Sequence, residues 1–116
     1  MRFIVAMIAL TFSLDAFSAG CTAQGCTGKP SELFSNYYLT GSEDGRIFFH
    51  MRDDVDKQKM NCTLVEGAYA TLMSTHPLFK EIYSSLLSAS AMDRAVYIRV
   101  KGGSSKCEIA YVRLYM

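Results

Sequence analysis

Tryptophan is absent from this 116-residue sequence, proline and histidine occur only twice each, and twelve lysines and arginines nearly cancel eleven aspartates and glutamates. Each shortage removes a class of function. A formal net charge of +1 gives no bulk attraction for nucleic acid or for an anionic membrane surface. His50 and His76, with cysteines that never fall as C-x-x-C, leave neither a zinc-ligand pattern nor a thioredoxin-like redox centre. No repeats or low-complexity tracts occur, so one small domain is expected. The longest apolar run, residues 3 to 14 (FIVAMIALTFSL), is too short to span a bilayer as a mature helix.

That run is followed by small residues in FSAGC, residues 17 to 21, and preceded by one charge, Arg2. This is the pattern of an export signal. Residues 1–19 are therefore read as a signal peptide, cut after Ser18 with Ala16 at the minus-three position, or after Ala19 or Gly20. The remainder, residues 20–116, is expected to be a single disulfide-stabilised domain, secreted or periplasmic. An alternative stays open at the junction. Ser18-Ala19-Gly20-Cys21 resembles the lipobox of bacterial lipoproteins, and a membrane association is expected only if Cys21 carries a lipid.

Four cysteines, Cys21, Cys26, Cys62 and Cys107, in a short exported chain read as a disulfide framework. A domain of this size has a thin margin of stability, and each bridge adds on the order of 2–4 kcal/mol.

The mature chain reads mostly as strands. Leu33 to Thr40 and Arg46 to Arg52 flank the turn-like GSEDG, residues 41 to 45, and form a hairpin. DDVDKQK, residues 53 to 59, is a charged loop, and Gly67 to Ser74 is a third strand or a first helical turn, with the strand favoured. Pro77 then marks a helix start, capped by Thr75 or His76. Leu78, Phe79, Ile82, Tyr83, Leu86 and Leu87 supply its apolar stripe, and it ends near Asp93. Its other side is mostly serine, which suits a subunit contact or a narrow channel. Ala95 to Lys101 and Cys107 to Met116 close the chain as a second hairpin around GGSS, residues 102 to 105. Val96, Ile98 and Val100 are expected to face the core from one strand, and Ala110, Val112, Leu114 and Met116 from the other.

The order β-β-β-α-β-β, mainly β with one helix, suits a small OB-fold-like barrel. An open antiparallel sheet with one packed helix is the alternative. In such a barrel the third and fifth strands are neighbours, which favours pairing Cys62 with Cys107 and leaves Cys21 and Cys26 to pair locally, or one of them free.

Catalytic chemistry is not visible. Asp53, Asp54 and Asp56 lack the glycine and closing glutamate of a calcium loop. His76 reads as a helix-start residue, and His50 has no obvious partner. No catalytic residues, metal ligands or cofactors are expected. The surface with character is the outward face of the last hairpin: Tyr97 and Arg99 with Lys101 on one strand, Tyr111, Arg113 and Tyr115 on the next. Tyrosines interleaved with cations make a stacking platform for a sugar, a single-stranded nucleic acid or a partner subunit. Export argues against nucleic acid.

The signal peptide, the small disulfide-bonded domain and the strand order together resemble the receptor-binding B subunits of pentameric bacterial toxins. HPLFKEIYSSLL and CEIAYVRLYM are also similar to stretches of small exported proteins of Gram-negative bacteria. The toxin resemblance implies an OB-fold subunit in a five-membered ring, helices around a central pore, and a glycan as partner. The expected function is thus an exported non-enzymatic binding module, oligomeric and glycan-binding. The alternative is a monomeric periplasmic protein that binds another protein, for example as a hydrolase inhibitor inserting GGSS or DDVD into its partner.

Overall fold

Two antiparallel sheets and one long helix make up the computed structural model, which describes residues 19–40 and 45–116. The expected signal segment up to residue 18 and the turn residues 41–44 lie outside the described residues. The strands are β1 (Gly20–Cys21), β2 (Gly25–Gly28), β3 (Phe34–Leu39), β4 (Ile47–Met51), β5 (Tyr69–Leu72), β6 (Val96–Val100) and β7 (Ile109–Leu114). A one-turn helix, α1 (Pro30–Leu33), links β2 to β3, and α2 (Phe79–Met92) links β5 to β6. One sheet runs β1-β2-β6-β7 and the other β3-β4-β5.

The expected order of three strands, a helix and two strands is present in β3 to β7 with α2. The N-terminal hairpin β1–β2 and α1 are additional. Gly25 explains why β2 escapes a propensity reading: a Cβ there would lie 1.9 Å from the carbonyl oxygen of Ile98. Only glycine lets β2 approach β6 this closely, and a glycine-rich GCTG has little strand propensity of its own.

The core lies between the sheets and α2. Leu33, Ile47, Phe49, Met51, Leu72, Val96 and Ile109 are all buried within it. Val96, Ile98 and Val100 point inward as expected. The inward set on β7 differs from expectation. Pairing shifts from Arg99–Tyr111 to Val100–Ile109, so Ala110 is the extra residue of a bulge. Ile109 is therefore buried, while Leu114 (42% exposed) and Met116 reach solvent.

The start of α2 is also set by this bulge. Pro77 precedes the helix, and Leu78 rather than Thr75 or His76 is its N-cap residue. His76 acts from outside: its Nδ1 accepts the Leu78 amide at 2.9 Å, and its Nε2–H donates to the Ala110 carbonyl at 2.7 Å. A carbonyl can only accept and an amide can only donate, so these partners fix the tautomer. Ile82, Leu86 and Ala89 are buried on α2, whereas Leu78 and Leu87 are exposed. From Ser84 to Met92 the helix carries no charge.

A seam ties the sheets together. Thr71 of β5 bridges to Glu108 in parallel, its amide donating to the Cys107 carbonyl at 3.0 Å. Buried Arg46 donates from Nη1 to the Thr71 hydroxyl and to Glu108, at 3.0 and 3.1 Å. The Cys62–Cys107 disulfide lies at the same end, and Cys21–Cys26 closes the N-terminal hairpin. Both pairings are those favoured from the sequence. With its sulfur in that bridge, Cys21 has no thiol to carry a lipid. Among the described residues the strand ladders do not close into a barrel.

Candidate functional site

A second bulge shapes the surface where polar side chains converge. In the β3–β4 ladder Phe34 opposes Met51 and Asn36 opposes His50, so Ser35 is the extra residue. Bulges re-aim side chains, and here the Ser35 hydroxyl shares a hydrogen bond with His50 Nδ1. Arg52 follows β4 immediately, its amide held by the Leu33 carbonyl at 2.9 Å. Three depressions meet at Arg52. One of about 360 Å³ includes Ala19, Glu32 and Asp54; one of about 360 Å³ includes Ser35, His50 and Asp53; one of about 390 Å³ includes Asn36, Tyr37 and Ser90. Together they form a groove lined with hydroxyl, amide, carboxylate and guanidinium groups beside the Tyr37 ring.

Most charges in the groove are matched in pairs; Glu32 is not. Arg52 forks onto Asp54, with Nε to Oδ1 at 3.0 Å and Nη2 to Oδ2 at 3.2 Å. That hydrogen bond holds the Asp54 carboxyl below its usual range and raises the Arg52 guanidinium. Asp56 is lowered by Lys59 and by the Cys21 amide, which it accepts at 2.8 Å. Buried Lys57 donates to the Arg52 carbonyl at 3.0 Å. Tyr37 is raised by burial, then by its neighbour Tyr83. The Asp53–Asp56 run is thus a loop knitted by cations, and among the described residues no cluster suited to a metal ion occurs.

The Asp54 shift has a testable sign. A folded-state value below the unfolded one contributes stability above the model-peptide value of 3.8, and that contribution is lost as pH falls through the lower folded value. The carboxyl carbon of Asp54, followed by NMR, is expected to titrate below 3.8 in the folded protein. In the full-length chain, where residue 19 carries an amide, Arg52→Ala is expected to raise the midpoint toward 3.8; a midpoint indifferent to that change would remove the clamp.

The tyrosine face expected from the sequence is assembled elsewhere, on the outer side of β6 and β7. Tyr97 opposes Arg113 and Arg99 opposes Tyr111. The Arg113 guanidinium carbon lies 5.7 Å from the Tyr97 ring centre, and the Tyr97 and Tyr111 rings are 6.3 Å apart. Tyr115 does not join them. It lies beyond β7 and lines a mainly apolar depression with Met92, Leu114 and Met116.

No protein-family model, curated protein or solved structure matches this chain. Its chemistry is therefore read from the site itself.

The Arg52 groove is what sequence reasoning missed. Its members are scattered from residue 19 to residue 90, across the signal junction, two expected strands, a charged loop and the expected helix. One signal was present: hairpin pairing of LFSNYY with FFHMR carries Ser35 and Asn36 across to His50 and Arg52. The His50 ring packs edge-on against Tyr69 at 4.9 Å, and the pair of Ser35 and His50 presents a fixed hydroxyl for hydrogen bonding.

Proposed function

We propose that this protein is an exported, non-enzymatic glycan-binding module that works as a homo-oligomer. The observation that carries the reading is the convergence of three depressions on Arg52, with donors and acceptors alternating beside a tyrosine ring. A sugar offers closely spaced hydroxyls, each able to donate and accept, over an apolar ring face. Fixed polar groups next to an aromatic surface are what such a ligand needs.

An OB-fold reading supports it. Taken as one strand bent at α1, β2–β3 pairs with both β4 and β6; β4 pairs with β5, and β5 touches β7 through the Thr71–Glu108 bridge. That is the neighbour order of a small five-stranded barrel. Assembly is supported by two surfaces. The β3 edge carries exposed Tyr37, Tyr38 and Leu39, and the outward side of α2 is serine-rich and, from Ser84 onward, uncharged. The resemblance to toxin B subunits implies a pentamer.

Binding to an array of immobilised glycans, with native mass measured in parallel, tests the proposal. Arg52→Ala is expected to weaken binding at least about tenfold, because hydrogen bonds to a charged group are worth about 1.5–3 kcal/mol. Arg52 and Asp54 are both solvent-exposed, so the variant is expected to lose little in melting temperature. Unchanged binding in Arg52→Ala with loss in Tyr97→Ala or Tyr111→Ala would move the site to the tyrosine face. A monomer without sugar affinity would sink both the ring and the glycan.

A further inference from the structure

Ala19, the first described residue, is not a loose end. It is half-buried and packs against the hydrophobic core, 2.9 Å from where a Cβ on Gly28 would be. Directly after it, Gly20 pairs with Thr27 and the Cys21–Cys26 disulfide pins the strand. Ala19 also lines the end of the groove that holds Glu32, Arg52 and Asp54. Ala19 therefore has a fixed seat in the depression it shares with two carboxylates and a guanidinium.

The charges at that end do not balance. Glu32 and Asp54 face one cation, Arg52, which is already spent on Asp54 in a two-pronged bond. Nearby cations are committed as well: Lys29 to Asp93, Lys57 to the Arg52 carbonyl beside Asp53, and Lys59 to Asp56. One oxygen of Glu32 accepts the Lys29 amide at 3.0 Å, leaving the other for a further donor. A further positive group would find acceptors here, and removal of an export signal would create one at this seat.

We propose that cleavage between Ser18 and Ala19 completes the binding groove, the new α-ammonium of Ala19 pairing with Glu32 and Asp54 and releasing Arg52 donors toward the ligand. In the cleavage, water adds across the peptide bond: its hydroxyl goes to the Ser18 carbonyl carbon and its hydrogen to the Ala19 nitrogen. That amine then takes up a proton at neutral pH. Cleavage one or two residues later would discard the residue packed on Gly28. In the uncleaved precursor residue 19 has an amide in place of the ammonium, and Arg52 stays locked to Asp54 with fewer donors for the ligand. The ligand part of this proposal rests on the glycan reading above; the ammonium pairing does not.

The test uses protein exported and processed by a bacterial host. Its intact mass gives the first residue. Reductive methylation with ¹³C-formaldehyde labels the α-amine, and ¹³C NMR follows its titration. Folded protein beginning at Ala19 is expected to titrate above the ordinary α-amine range of about 7.7–8.0, with the midpoint falling in Glu32→Gln and in Asp54→Asn. A different first residue, or an ordinary midpoint indifferent to both variants, would overturn the proposal. This readout needs no sugar, so it stands apart from failure of the glycan reading. Where the array yields a bound glycan, a form retaining Ser18 is expected to bind it at least tenfold more weakly, and equal binding would overturn the release of Arg52.

Discussion

Replacing Cys62 and Cys107 together by alanine is expected to lower the stability of the folded domain by about 4 kcal/mol. The bridge closes a loop of sequence separation 45, and by chain-entropy reasoning a loop of that length costs the unfolded chain about that much freedom. The Cys21–Cys26 bridge, of separation 5, is expected to contribute about half as much by the same reasoning. A small domain typically has about 5–15 kcal/mol in total, so the first loss removes a large share of it. Urea unfolding of the two double variants checks the ranking through the midpoints. A loss under about 1 kcal/mol for Cys62 and Cys107 would mean that the unfolded chain is already held compact near this seam.

Phe49→Ala is expected to cost about 3–5 kcal/mol, the range for emptying a large buried aromatic site. Phe49 is 1% exposed, and its ring lies 5.1 Å from that of Phe34 and 5.7 Å from that of Tyr37. Tyr37 in turn meets Tyr83 of α2 edge-on at 6.0 Å. The side chain thus joins β3, β4 and the helix, and its loss is expected to weaken the proposed glycan binding as well, because Tyr37 borders the groove. Phe49→Leu, which keeps most of the volume, is expected to cost under half as much. Equal losses in the two variants would mean that ring contacts rather than filled volume hold this joint.

How much of this was legible in the residues depends on whether a local pattern recorded a long-range fact. Alternation in AVYIRVK and RIFFHMR was enough for β6 and β4, because burial on one face has a period of two that shows in the sequence. The cysteine pairings were legible because the order of elements made two strands neighbours. β2 was not, since its reason for existing is the space Gly25 leaves for Ile98, a property of another strand. On β7 Val112 packs on the core as expected, but Ile109 takes the inward place expected of Ala110, because a bulge at Ala110 leaves no mark on propensity. The four members of the tyrosine face, Tyr97, Arg99, Tyr111 and Arg113, came out together because directly opposed pairs follow from hairpin register. The Arg52 groove did not, for it is built where a second bulge, a loop and the chain's first described residue come together.

The link from His76 to Ala110 also couples two choices made separately during folding. Sliding β7 by one residue along β6 would move each carbonyl by about 3.3 Å and turn it to the opposite direction. The imidazole that begins α2 would then reach no acceptor, and the helix would lose its orienting tie. A misaligned last strand therefore also carries a misdocked helix, so correct alignment is selected by two elements at once, one of them some thirty residues upstream.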